Sequence, residues 1–141
     1  MIGVFRGFFW YTSDNMKEET KLWFEKAEED FDYAQYNLKG HRHGAATFFC
    51  QQVLEKILKA FLVENDVRPP KTHDLILLAK QTELNLSKEW LSDLRKLTQY
   101  YFLVRYPDMS QKFFAKPGIA KEVFQKTEEI YQWVKEKFGK S

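Results

Sequence analysis

Five polar residues recur at helical spacing inside an otherwise apolar stretch, and chemistry on that stretch has to involve them. The stretch covers residues 48–62 and reads FFCQQVLEKILKAFL. Its polar residues are Gln51, Gln52, Glu55, Lys56 and Lys59. Spacings of one, three and four place these side chains on one narrow stripe of a helix. The pattern predicts a central helix covered on several sides, with the stripe as its outlet to solvent, a partner or a ligand. Gln52 and Lys56 are candidate ligand-binding residues there.

A second candidate site lies in the segment YYFLVRYPD, residues 100–108. Arg105 stands near the end of a predicted helix, where the helix dipole favours a cation. One interpretation is structural, with Arg105 paired to Asp108 or to an acid on a neighbouring helix. The other is functional, with the planar guanidinium presented to a phosphate and Tyr106 available for stacking. The residues alone leave both interpretations open.

The histidines are weaker candidates. His73 follows Thr72, a predicted helix N-cap, and either hydrogen-bonds its own loop or contacts a ligand or RNA. His41 and His43 lie in a basic linker, and two histidines two apart do not share a helical face. No paired-cysteine, His-Glu-x-x-His or Gly-rich phosphate motif occurs in the sequence. We therefore predict no metal site and no cofactor.

The composition bounds the class of protein. A chain of 141 residues with 44% hydrophobic and 30% charged residues suits one globular domain. The net charge of +2 is too small to argue for nucleic acid or membrane. The single cysteine, Cys50, is expected to pack as a small hydrophobe. Without an apolar run of about 20 residues or a signal peptide, a cytoplasmic location is expected.

Apolar periodicity divides the chain into helices. Residues 1–15 lack helical period and form either an N-terminal arm or an extension upstream of a start at Met16. The remainder, residues 16–141, forms one domain. Helices are predicted over residues 17–39, 45–64, 73–81, 88–105 and 119–138, with a loop over 108–118. The predicted fold is all-α, an antiparallel up-down bundle of four long helices plus one short helix.

Three blocks of the sequence together resemble a known family. These are FFCQQVLEKILKAFL, then KTHDL at residues 71–75, then VRYPD at residues 104–108. In order and spacing they resemble the HEPN domain (higher eukaryotes and prokaryotes nucleotide-binding), over roughly residues 23–134. The resemblance implies a helical bundle, usually dimeric, in many cases encoded beside a minimal nucleotidyltransferase as a toxin–antitoxin-like module. Several branches of the family are metal-independent ribonucleases, whose motif is an Arg, four to six residues, then a His.

This sequence departs from the ribonuclease motif. Arg105 corresponds to the motif Arg, but residues 106–112 read YPDMSQK, and no His follows His73. The spacing from Arg68 to His73 does match, but two prolines place it in a loop, and we treat it as accidental. General acid–base help for a 2′-hydroxyl would then have to come from elsewhere. The departure argues against RNA cleavage of the family's kind.

Three hypotheses follow. The leading one is a non-catalytic, dimeric HEPN protein that binds a nucleotidyltransferase partner, with a nucleotide or RNA phosphate at its site. The candidate ligand-binding residues are Arg105, Tyr106, Asp108, Lys56, Gln52 and His73. The second hypothesis is a divergent ribonuclease that uses Arg105 with Tyr106, Asp108 or His73. The third is a structural dimerisation module whose aromatic arm docks a larger assembly.

Overall fold

The structure, a computed structural model, describes residues 16–114, 116 and 118–139. Over these residues it contains α-helices and no strand. The helices are α1 (Glu18–Lys39), α2 (His43–Glu64), α3 (Leu75–Thr82), α4 (Lys88–Leu103), α5 (Pro107–Phe114) and α6 (Ile119–Glu136). The all-α prediction is confirmed. The aromatic segment 1–15, interpreted above as an arm or an upstream extension, lies outside the described residues.

Helix α2 is the centre of the fold, as its composition predicts. It packs against each of the five other helices. Its residues Cys50, Val53, Ile57 and Leu58 are completely inaccessible to solvent. Burial raises the pKa of the Cys50 thiol to about 12, so this cysteine is a core residue and not a thiolate nucleophile. Apolar as α2 is, no helix of the described residues has the length and hydropathy to cross a membrane.

The amphipathic helices lie where their periodicity predicts them. Helix α1 buries Ala27 and Ala34, while Phe31 packs on the core from its edge. The Phe31 ring lies 5.2 Å from that of Tyr131 on α6, centroid to centroid. Such aromatic pairs join α1 to α6 across the end of the core.

The segment 108–118, predicted above as a loop, contains helix α5, and that prediction is wrong. Pro107 ends α4 but also occupies the first position of α5, where its fixed φ suits a helix and its missing N–H is not needed. The amide of Ser110 donates to the carbonyl of Tyr106 at 2.8 Å and so begins the new helix. Phe114 is buried at its end. The described residues therefore contain two short helices beside the four long ones, whose up-down order stays a prediction.

Helix α3 begins later than predicted, and its N-cap is Asp74 instead of Thr72. The Asp74 Oδ1 accepts hydrogen bonds from two backbone N–H groups of the first turn, at 2.9 and 3.4 Å. The Thr72 hydroxyl accepts one from the Asp74 amide at 3.1 Å and supports this cap from outside the helix. His73 consequently lies in an irregular segment ahead of the helix. The predicted cap at Ser87 is confirmed, since its Oγ accepts from the backbone of Trp90 at 3.1 Å.

Candidate functional site

Gln51, Glu55 and Lys59 of the polar stripe of α2 are buried, so the prediction that the stripe opens to solvent is wrong for these three residues, whereas Gln52 and Lys56 are partly exposed. Gln51, Glu55 and Lys59 are only 0%, 3% and 7% exposed. Lys59 lies under Trp23 of α1, with its Nζ 5.3 Å from the indole centroid. The segment around His73 covers the other end of the stripe. Charged groups this deeply buried need specific partners.

The Glu55 carboxylate is the point where these partners meet. Its Oε1 lies 3.0 Å from His73 Nδ1 and accepts from the Gln51 amide at 3.2 Å. Its Oε2 accepts from Lys59 Nζ at 2.9 Å. Burial alone would raise the pKa of Glu55, but the hydrogen bonds from His73, Lys59 and Gln51 outweigh it and hold the pKa below its ordinary value. Glu55 is therefore an anion at neutral pH.

Gln51 fixes the backbone of the segment that carries His73. Its Nε2 donates to the carbonyl of His73 at 2.8 Å, and its Oε1 accepts from Gln52 at 2.6 Å. Because the amide also bonds Glu55, one buried side chain holds both the His73 peptide and the carboxylate that contacts the His73 ring. The imidazole position is set from two directions.

The His73 ring stacks on Tyr101 of α4, which also holds Arg105. The centroids of the imidazole and the phenol ring are 4.7 Å apart. The Arg105 guanidinium carbon lies 4.4 Å from the centroid of the same phenol ring, and one of its nitrogens donates to the Tyr101 hydroxyl. Phe48 of α2 stacks on Tyr101 as well, at 5.6 Å. We call Glu55, His73, Tyr101 and Arg105 the His73–Arg105 cluster.

This cluster combines a held imidazole with an exposed cation. With Nδ1 directed at Glu55, the His73 ring keeps Nε2 for a ligand, and its side chain is 51% exposed. Arg105 is exposed and forms no ion pair within the described part of the chain. The structural interpretation, in which Arg105 pairs with Asp108 or with an acid on a neighbouring helix, is not observed among the described residues, and the neutral Tyr101 hydroxyl holds Arg105 instead. Such an arrangement can bind an anion and exchange a proton beside it.

The remaining predicted residues are placed differently. Lys56 donates to Gln52 at 2.8 Å and reaches Asp30 of α1 at 3.4 Å. Through Gln52 and Gln51 this pair is continuous with the His73–Arg105 cluster, but its contacts are to protein groups. Tyr106 and Asp108 are exposed beyond the end of α4.

The two other histidines form a separate corner of the molecule. His43 Nδ1 lies 3.1 Å from the Phe114 carbonyl, and the rings of His41 and His43 are 6.0 Å apart. An open groove of about 500 Å³ runs beside them, with Gly44, Val104, Pro107, Ser110 and Gln111 also in its walls. Within the described ranges, no three or more His, Cys, Asp or Glu residues are grouped so that they could hold a metal ion.

Comparison with known proteins places the chain in a family. The model of the HEPN domain family matches residues 20–137. The chain belongs to the HEPN domain family. Its fold is similar to the crystal structure of TT1696 from Thermus thermophilus, with a TM-score of 0.77 and 22% identity over 86% of this chain and 100% of that one. At that identity the likeness supports the fold alone. None of the curated proteins compared matches the chain.

The structure of this HEPN domain brings together two of the candidate residues that the sequence analysis listed and shows what joins them. His73 and Arg105 were both candidates, and one tyrosine ring joins them. Tyr101 was not among the candidates: it continues the apolar stripe of α4 after Leu94 and Leu97, and it is buried as they are. The available signal was its position four residues before Arg105, which places both side chains on the same helical face. Glu55 and Gln51 belong to the α2 stripe that the sequence analysis identified, but their contacts with His73 were not predicted.

Proposed function

We propose that this HEPN domain binds the phosphate of a nucleotide or an RNA at the His73–Arg105 cluster. One observation carries the proposal: Arg105 is exposed, its guanidinium is held over the Tyr101 ring by a hydrogen bond to the Tyr101 hydroxyl, and it pairs with no acid among the described residues. A planar fork with free donors matches phosphate oxygens well. Because Tyr101 holds Arg105 before binding, less side-chain entropy is lost when an anion arrives.

The other candidate residues support Arg105 to different degrees. His73 offers Nε2 as a second contact to the phosphate or its ester. Gln52 and Lys56 act at a distance, since Gln52 donates to the Gln51 amide that holds the His73 segment. Asp108 lies in the first turn of α5, where the helix dipole favours an acid, so a structural role accounts for it.

Arg105→Ala tests the phosphate site. We expect the affinity for a nucleotide or a short RNA to fall roughly 10- to 150-fold, because a hydrogen bond to a charged group is lost. Arg105→Lys keeps the charge without the fork and should fall in between. Arg95→Ala, which removes an exposed arginine of α4, is the matched control. Titration calorimetry, with helicity checked by circular dichroism, measures all three, and an unchanged affinity of Arg105→Ala would remove the site.

We further propose that the protein is a non-catalytic homodimer with a nucleotidyltransferase partner in a toxin–antitoxin-like module of the cytoplasm. Membership of the HEPN domain family supports this proposal. Affinity capture from the native cell, with mass spectrometry of bound protein and nucleic acid, is the test. A stoichiometric nucleotidyltransferase is the expected result. A dimer with neither a partner nor a nucleotide would favour the purely structural hypothesis instead.

A second candidate function is metal-independent RNA cleavage, with His73 in place of the missing motif histidine. The 3.0 Å contact between Glu55 Oε1 and His73 Nδ1 favours it, since a carboxylate that orients an imidazole leaves Nε2 as a general base. Nε2 would take the proton of the RNA 2′-hydroxyl as the 2′-oxygen attacks the adjacent phosphorus, and the imidazolium would return this proton to the 5′-oxygen as the P–O5′ bond breaks, while Arg105 stabilises charge on the phosphate. Labelled RNA incubated with chelator should be cleaved by the wild type and not by His73→Gln. Equal cleavage by both proteins would indicate contamination.

A further inference from the structure

We propose that Asp30 of α1 and Lys56 of α2 are positioning residues for His73. They act by fixing which end of the Gln52 amide, and hence of the Gln51 amide, is the donor. The proposal rests on the phosphate site proposed above only for its effect on ligand binding.

The series of hydrogen bonds starts at a buried acid of α1. Asp30 is 2% exposed, and its Oδ2 lies 3.4 Å from Lys56 Nζ. The exposed Lys26 reaches Oδ1 of the same carboxylate only at 3.9 Å. Burial raises the pKa of the Asp30 carboxyl, and the two ammonium groups only partly offset this. A carboxylate at this depth needs a partner, and Lys56 is the nearer of the two and the less exposed.

The Lys56 ammonium sets the direction of both glutamine amides. An ammonium group only donates hydrogen bonds, so the atom that faces it has to be an acceptor. Lys56 Nζ donates to Gln52 Oε1 at 2.8 Å, which leaves Gln52 Nε2 on the other side of the amide. That Nε2 donates to Gln51 Oε1 at 2.6 Å, so Nε2 of Gln51 in turn faces away from Gln52.

The acceptors at the other end require the same direction. Gln51 Nε2 donates to the carbonyl of His73 at 2.8 Å and to Glu55 Oε1 at 3.2 Å. Neither a backbone carbonyl nor an ionised carboxylate can donate. Reversing the Gln51 amide would place its oxygen against two acceptors and lose both bonds. The series is therefore consistent in one direction only, from the Lys56 ammonium to the His73 peptide.

This direction decides which nitrogen of the imidazole carries the hydrogen. Because one amide holds both the His73 peptide and Glu55, the ring keeps Nδ1 at 3.0 Å from Glu55 Oε1. A carboxylate at this place selects the tautomer with hydrogen on Nδ1 and leaves Nε2 as an acceptor. With the Gln51 amide reversed, the peptide is released and the ring loses the geometry of this contact. Asp30 thus acts on the ring from α1, through side chains of α2.

Gln52→Glu is the sharpest test, because it changes one group of the series and keeps its shape. A glutamate accepts from Lys56 more strongly than an amide does, so a role limited to holding Lys56 predicts no loss. It has no hydrogen to donate to Gln51 Oε1, so the positioning role predicts that the Gln51 amide turns and releases the His73 peptide. Lys56→Met removes the cation and should have the same effect. Asp30→Asn should have a smaller one, since its carboxamide oxygen still accepts from Lys56.

The first readout is the tautomer of His73, observed by nitrogen NMR of isotopically labelled histidine at a pH where the imidazoles are neutral. His73→Gln assigns its signals among the three histidines. We expect the wild type to carry hydrogen on Nδ1, and Gln52→Glu and Lys56→Met to lose this tautomer. Lys26→Met is the matched control, because it removes the other ammonium that faces Asp30, and it should keep the tautomer.

Titration calorimetry with AMP and with a short oligoadenylate is the second readout. Variants that lose the tautomer should bind roughly 2- to 12-fold more weakly, the equivalent of one net hydrogen bond. If Gln52→Glu and Lys56→Met keep the wild-type tautomer, or if the wild type itself lacks hydrogen on Nδ1, the positioning role is wrong. If both variants lose the tautomer at unchanged helicity but Arg105→Ala binds as tightly as the wild type, the phosphate site fails and the positioning of His73 stands.

Discussion

The two histidine clusters differ in what holds their imidazole rings. His41 and His43 are neighbours in sequence, yet His43 is held by a backbone carbonyl and His41 lies exposed in a turn. His73 is alone in sequence, yet a buried carboxylate, a buried amide and an aromatic ring hold it. Closeness along the chain therefore says little about a site here. The informative feature is the Glu55 carboxylate, a charged group that helix α2 places in contact with the imidazole of a separate segment.

Removing that charged group should have the largest effect. Glu55→Ala leaves Lys59 as a buried ammonium without its carboxylate, and we expect the free energy of unfolding to fall by about 3–5 kcal/mol. Urea unfolding followed by circular dichroism measures it. His41→Ala, in the other cluster, is the control and should change stability by about 0.5 kcal/mol or less. A loss below about 1 kcal/mol for Glu55→Ala would mean that the contacts in the two clusters contribute similarly little to the free energy of unfolding.

The pH dependence of Glu55→Gln tests whether charge is what distinguishes the clusters. Because the folded-state pKa of Glu55 is lowered, its stabilisation is present above the ordinary value of 4.5 and is lost as the pH falls through the folded-state pKa. Near neutral pH the variant should be less stable than the wild type by about 1.5–3 kcal/mol. This difference should shrink below about pH 4.5. Urea midpoints across this range supply the measurement, and a constant difference would contradict the role of charge.

Tyr101→Phe sharpens the comparison at the open side of the cluster. It removes the hydroxyl that Arg105 donates to but keeps the ring under His73 and Arg105. We expect the affinity for a nucleotide or a short RNA to fall roughly 2- to 12-fold, because a net hydrogen bond is worth about 0.5–1.5 kcal/mol. Calorimetric titration measures the change. His43→Ala should bind like the wild type, and equal losses in both variants would mean that binding is not confined to the His73–Arg105 cluster.

In the other cluster we expect a small effect that is confined to stability. His43→Ala removes the contact to the Phe114 carbonyl that ties the start of α2 to the end of α5, and should cost about 1 kcal/mol of stability. Thermal unfolding measures this directly. His43→Asn, which retains a donor, should recover part of the loss. Weaker ligand binding by His43→Ala at unchanged helicity would show that this corner also belongs to a site.

Periodicity predicted the four long helices because α1, α4 and α6 each bury one stripe of apolar residues and α2 is apolar on all sides but one narrow stripe. It missed α5 because proline gives two opposite signals, and Pro107 both ends α4 and begins the next helix. It placed the cap of α3 at Thr72 because threonine and aspartate are both good caps, and the choice of Asp74 depends on where the first turn starts.

Individual residues of the candidate site could be predicted from the sequence, but their contacts with one another could not. Arg105 and His73 stood out by residue type and surroundings. The sequence could not indicate that Tyr101, a residue of the apolar stripe, joins them, since that depends on how α4 packs beside the His73 segment. Likewise, the sequence did not indicate that the α2 stripe is covered. The groups that cover it, Trp23 and the His73 segment, come from distant parts of the chain.

The hydrogen bond from Gln51 to the His73 peptide also decides where this chain can accept extra residues. Downstream of that bond the segment is fixed, because the amide of Leu75 is further bonded to the Thr98 hydroxyl at 3.2 Å. Upstream, Val67 and Arg68 are exposed. A short insertion between Val67 and Arg68, or a fluorescent label at this place, should therefore be tolerated. One added residue beside His73 would instead move the imidazole away from Glu55 and Tyr101. The connection between α2 and α3 thus has one end, at Val67 and Arg68, that can carry a fluorescent label, and another end, at His73, whose surroundings the label can report.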